Sequence, residues 1–192
     1  MNVHRRAQAM LTDPAAVWPA IAAEPGDPAY VLSHYVTVLA LIPAAFSFVG
    51  ASLVGVVVPN LGLVRASLFN GLFGAIFGYV ISCATVLVLG MVINLVAPLF
   101  GGRRDFDNAF KLAAYSFTPV WLAGIFLVLP GLRFLTLTGF YGAYLLWLGL
   151  PPLIKTPARH AFIFTTLIVV CAFALAYGAA GAQRTVFGTP GL

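Results

Sequence analysis

Charge is what this sequence has least of: 8% of its 192 residues are Asp, Glu, Lys or Arg, and only five of them are acidic. A soluble domain carries about 25% charged residues. So sparse a set cannot clothe a core of this length, which excludes an ordinary soluble fold. With two cysteines, Cys83 and Cys171, both inside apolar runs, neither a disulfide framework nor a metal-ligand spacing is available. Disorder is excluded too, because 61% of the chain is apolar.

What the sequence does have is long uncharged runs. Asp27 to Arg65 and Arg65 to Arg103 each enclose 37 residues, Lys111 to Arg133 and Arg133 to Lys155 each enclose 21, and Arg159 to Arg184 encloses 24. About 17 to 25 apolar residues cross a bilayer as a helix. The chain therefore reads as all-α and polytopic, a bundle of five transmembrane helices over residues 36–58, 72–95, 112–129, 134–150 and 161–180. The runs are continuously apolar, whereas barrel strands alternate. In domain terms, residues 1–30 form a short amphipathic, interfacial cytoplasmic arm, 31–182 the membrane domain and 183–192 a short tail. Pro59-Asn60-Leu61-Gly62 supplies the break after the first span.

Seven basic residues (Arg5, Arg6, Arg103, Arg104, Lys111, Lys155 and Arg159) fall on the amino-terminal side of the spans and three (Arg65, Arg133 and Arg184) on the other. The positive-inside rule then places the amino terminus in the cytoplasm and the carboxy terminus across the membrane. Arg5, Arg6, Arg103, Arg104, Lys155 and Arg159 are the candidate contacts to anionic lipid headgroups. Scattered at helix ends, they form no basic stripe with stacking aromatics, so nucleic acid is not an expected partner.

In the arm, Val3, Ala7, Met10 and Leu11 share a helical face, as an interfacial helix requires. Asp13 reads as an N-cap with Pro14 at the first helical position, ahead of Val17, Trp18 and Ile21. Gly74, Gly78 and Ser82 recur every four residues and make the candidate helix–helix interface, within one protomer or between two. Pro119 removes a backbone bond and crowds the carbonyl of Tyr115, predicting a kink. Tyr115, Ser116, Thr118 and Pro119, with Tyr141 and Tyr144 of the next span, form the candidate polar notch. Asp105 and Asp107 read as caps or salt-bridge partners of the adjacent arginines, and no metal or cofactor site is expected.

Several segments together resemble the Yip domain family, five-span membrane proteins named for interaction with Ypt and Rab GTPases. They are the arm with Pro14 and Trp18, the run His34-Tyr35 through Leu41-Ile42-Pro43 to Gly50, Tyr-Ser-Phe-Thr-Pro at 115–119 and Tyr-Leu-Leu-Trp-Leu-Gly-Leu-Pro at 144–151. The last two resemble the bacterial inner-membrane branch. The resemblance implies a five-helix domain and, for eukaryotic members, a role in vesicle trafficking and mutual association. The short arm departs from those members and argues against binding of a Rab-type GTPase. No hydrolase elbow, zinc helix or phosphate loop is present, and no span contains Asp, Glu, Lys or Arg. The expected function is thus a non-enzymatic membrane organiser or adaptor, whose partners are lipid, further copies of the chain or other membrane proteins. The alternative is a small channel, transporter or lipid-handling conduit.

Overall fold

The computed structural model describes residues 2–58 and 62–187. Five of its helices are long and apolar enough to cross a membrane. Two short helices precede them, α1 (Val3–Thr12) and α2 (Pro14–Ala23). The spans are α3 (Pro28–Val54), α4 (Leu68–Phe100), α5 (Phe106–Val128), α6 (Gly131–Ile154) and α7, which spans over Ala158–Gln183 and stays helical to Phe187. The first residues of the expected tail are therefore helical, and 188–192 lie outside the described residues.

Side-chain caps set where the spans begin. Asp27, Ser67 and Asp105 accept from the backbone N–H three residues on, at 2.8, 3.1 and 3.1 Å, so α3, α4 and α5 all begin ahead of the spans expected from sequence. Asp13 does the same for α2 at 3.3 Å, with Pro14 at its first position. The first span ends at Gly55, whose φ of +83° no side chain adopts easily. Two strands follow, β1 (Val56–Val58) and β2 (Gly62–Val64), paired antiparallel with Val57 opposite Leu63. Residues 59–61 of the expected break lie outside the described residues.

Successive spans alternate in direction, giving one end that carries the arm and another that carries the hairpin. The centre of the bundle is α5: 61% of its most apolar window is buried, while no other span exceeds 39%. It packs against α3, α4 and α6, and α4 also touches α3 and α7. At Gly124 a Cβ would come within 2.7 Å of the Pro43 backbone, so this glycine is what lets α3 and α5 cross so closely. The kink expected at Pro119 is a one-residue interruption at Phe117: one α-helical piece ends at Ser116, another runs Thr118–Ala123, and Gly124–Val128 winds as a 3-10 helix. Tighter winding continues in α6, where Pro130–Phe140 is 3-10.

The arm docks on the bundle. Met10, Trp18 and Ile21 are fully buried and join the same core cluster as Tyr115, Phe110, Leu112 and Leu150. A helix face that can lie on lipid headgroups can equally cap a bundle, and here it buries its apolar stripe against protein.

Candidate functional site

Beneath the arm, polar groups converge on α5. Lys111 is 2% exposed, and its Nζ donates to the backbone oxygens of Ile21 (3.2 Å) and Glu24 (2.6 Å). These carbonyls close the end of α2, where a cation is favoured by the helix dipole. The Glu24 side chain forms an ion pair with Arg6, whose guanidinium lies 5.7 Å from the Tyr115 ring centroid. Arg6, grouped by sequence with the headgroup contacts, thus turns inward instead. A carboxylate and an aromatic face are available to it there, in a part-buried seam.

Tyr115 anchors an aromatic set, edge-on to Tyr35 at 4.7 Å and to Trp18 at 6.4 Å. At this interruption, the Thr118 hydroxyl donates to the Tyr115 carbonyl (2.7 Å), the acceptor that the missing N–H of Pro119 leaves open. That proton is spent, so the Tyr35 hydroxyl must donate to Thr118 Oγ1, also at 2.7 Å. Thr118→Val is expected to destabilise the folded protein by about 1 to 3 kcal/mol. Combined with Tyr35→Phe, the loss should be less than additive in thermal unfolding, because both changes remove the same bond.

The six residues of the expected notch do not form one surface. Tyr115, Ser116, Thr118 and Pro119 are buried in the bundle, whereas Tyr144 is 44% exposed on the outer face of α6. Tyr141 and Tyr144 do pair, with ring centroids 5.4 Å apart. Tyr141 reaches back to the arm, donating to the Leu11 carbonyl at 3.3 Å. Sequence reading passed over Lys111, Glu24 and Tyr35 as site residues. The signal for Lys111 was its place inside the apolar run Ala109 to Ala114, where a cation needs a buried partner.

Gly74, Gly78 and Ser82 face inward. They line a cavity of about 410 Å³ with Pro43, Ser47, Trp121 and Gln183. The Trp121 Nε1 donates to Ser82 Oγ (2.8 Å), and Gln183 Nε2 to the Gly74 carbonyl (3.2 Å). A second cavity, of about 320 Å³, lies between α4, α5, α6 and α7 and is walled chiefly by apolar side chains, Leu89, Phe117, Leu146 and Phe173 among them.

The remaining candidate headgroup contacts, Arg5, Arg103, Arg104, Lys155 and Arg159, are all exposed at the arm end. Two contacts hold the loops that carry them together. The Arg103 N–H donates to the Ile154 carbonyl (2.8 Å), and His160 Nδ1 donates to the Phe100 carbonyl (3.1 Å). Among the described residues no group of three or more His, Cys, Asp or Glu is placed to hold a metal ion.

Five apolar spans, the central one interrupted at Phe117, closed at one end by a docked arm, define a polytopic helical membrane protein. The Yip1 domain matches residues 9–179, and the chain belongs to that family. It is similar to Inner membrane protein YohC of Escherichia coli strain K12, 29% identical over 138 residues that cover 70% of this chain and 71% of the relative. The same protein of E. coli O6:H1 matches equally. No solved structure matches the chain significantly.

Proposed function

We propose that the protein is a non-enzymatic organiser or adaptor of the bacterial inner membrane, with its arm end cytoplasmic and its carboxy terminus periplasmic. The observation that carries this reading is the basic platform. Arg5, Arg103, Arg104, Lys155 and Arg159 stand exposed at one end, on loops and a helix whose backbones are tied to the bundle. Such a face attracts anionic headgroups at roughly 1 kcal/mol per cation near the surface. Fixed cations also obey the positive-inside rule. The inner-membrane relative supports the location. Partners on this reading are membrane lipid and further copies of the chain or other membrane proteins.

Replacing Arg103, Arg104, Lys155 and Arg159 together by Gln tests the platform. The variant should retain clearly less phosphatidylglycerol when purified from mixed nanodiscs. Unchanged retention would remove the platform from the account.

A second reading, lipid or solute handling, is favoured by the two intramembrane cavities beside the interrupted α5. It predicts flux in proteoliposomes that Pro119→Ala alters, and flux no higher than in empty liposomes contradicts it.

A further inference from the structure

The two cavities share two walls, Val120 and Thr136. They also differ in depth and in polarity. The strand hairpin precedes Leu68, so Gly74, Gly78 and Ser82 lie in the hairpin-end half of α4, and Gln183 sits near the hairpin end of α7. These residues belong to the first cavity, which offers the hydroxyls of Ser47, Ser82 and Thr136 and the Gln183 amide, all uncharged. By contrast Leu89 and Ile93 lie in the arm-end half of α4, and Ile168, Ala172 and Ala176 in the middle of α7. These line the second cavity, which starts at Leu137 and Phe140 near the hairpin end of α6 and reaches to that depth, with walls that are chiefly apolar apart from the hydroxyls of Ser116 and Thr136. Along the bundle the polarity runs from hydrogen-bonding near one membrane surface to apolar at mid-bilayer. An acyl lipid inserted from that surface has the same gradient.

We infer that the two cavities are one site for an acyl lipid drawn from the leaflet at the hairpin end. The chain occupies the deeper cavity between α4, α5, α6 and α7, passing Val120, and the carbonyl oxygens at its head lie in the outer cavity. This inference rests on the lipid-handling reading and names its ligand class. Ser82 is the expected donor. It accepts from Trp121 Nε1, and among the described residues its own proton goes to no acceptor. A hydroxyl facing a cavity within a membrane gains from an acceptor, because no bulk water is there to serve it. Gln183 has amide capacity beyond its bond to Gly74. The absence of charge among these groups suits an ester better than a phosphate. A cavity of about 320 Å³ lies at the lower end of the range for small-molecule sites, enough for part of one chain. Hydrocarbon is the solvent at that depth, so a tail entering there gives up no hydration.

Gly78 supplies the test, because a Cβ built on it meets nothing within 4 Å. Gly78→Leu builds into the outer cavity from a Cβ position that meets no neighbouring atom, and Val120→Phe narrows the junction independently. The full chain, in nanodiscs of phosphatidylethanolamine and phosphatidylglycerol, is photolabelled with a phospholipid bearing a diazirine at the end of one acyl chain. A diazirine fatty acid of equal length serves as the second probe. Labelling is mapped by peptide mass, and size-exclusion elution verifies that each variant is folded.

The expected result is label on Ala172, Ala176 and Leu146, reduced about tenfold by either substitution. Label on the outward Phe162 and Ile163 should be unchanged. Phospholipid labelling assigns the source to bilayer ester lipid, and labelling by the fatty acid alone assigns it to free acyl acids; both support the site. Deep residues labelled no more than Phe162, or label indifferent to both variants, overturns it. Flux is measured on the same preparations. A labelled site without flux contradicts the passage reading while leaving the binding site standing.

Discussion

Trp18→Ala is expected to release the amino-terminal arm from the bundle, raising amide exchange over residues 3–23 by about 150- to 5000-fold. Trp18 is 1% exposed, wedged against Tyr115 and against Gly149. A Cβ on Gly149 would come within 2.9 Å of the indole, so the backbone of α6 is itself the floor of its pocket. Truncating a buried tryptophan costs about 3 to 5 kcal/mol in lost contacts and residual cavity. Among the described residues the indole N–H has no hydrogen-bond partner, which assigns the loss to packing. Exchange in the middle of α4 should stay near wild type, because the arm opens as a local unit. Equal acceleration throughout the chain would mean that Trp18 supports the whole bundle instead of the arm.

Lys111→Met carries the second large effect. It keeps most of the side-chain volume and removes the ammonium, leaving the Glu24 carbonyl without its Lys111 donor and the Ile21 carbonyl with only the Glu24 N–H, at 3.2 Å. Hydrogen bonds from charged groups contribute about 1.5 to 3 kcal/mol each, and a buried acceptor left open costs more than a bond never formed. A loss of about 2 to 4 kcal/mol in arm docking follows. It should appear as protease cleavage within the Glu24-Pro25-Gly26-Asp27 turn, under conditions that spare the native protein. Lys111→Arg should rescue only in part, since a planar fork cannot reproduce two bonds from one compact ammonium. Cleavage at the native rate would show that Trp18 and Ile21 hold the arm without help from Lys111.

Both effects concern a feature only half legible in the sequence. Charge gaps located the five spans because a charge at mid-bilayer is expensive, and that penalty acts on sequence directly. The observed helices start earlier wherever a cap precedes the run. Pro28 follows the Asp27 cap, and Phe106 follows Asp105, so each helix includes a first turn that lies ahead of the expected span, polar at Asp107 and Asn108 in α5. The interruption beside Pro119 was equally legible, because a missing N–H acts locally.

What escaped was direction. In a soluble helix the polar face marks the outside, but lipid is as apolar as the core, so α4 gives no sign of which side faces protein. Gly74, Gly78 and Ser82 therefore read as a packing stripe without saying that they line a cavity. The Arg6 and Glu24 pair was hidden for another reason. It joins two residues 18 apart in sequence, one on α1 and one capping α2, and only the fold of the arm brings them together. Arg6 could not be told from Arg5 by charge, although one turns to Glu24 and Tyr115 and the other stays exposed.

The organiser account requires the chain to assemble in its native solvent, with its rigid basic end presented to anionic lipid. Native mass spectrometry of the protein released from nanodiscs of phosphatidylethanolamine and phosphatidylglycerol measures this directly. The account predicts a discrete oligomer that retains phosphatidylglycerol in preference to phosphatidylethanolamine. A monomer that retains the two lipids in the proportion supplied would contradict it.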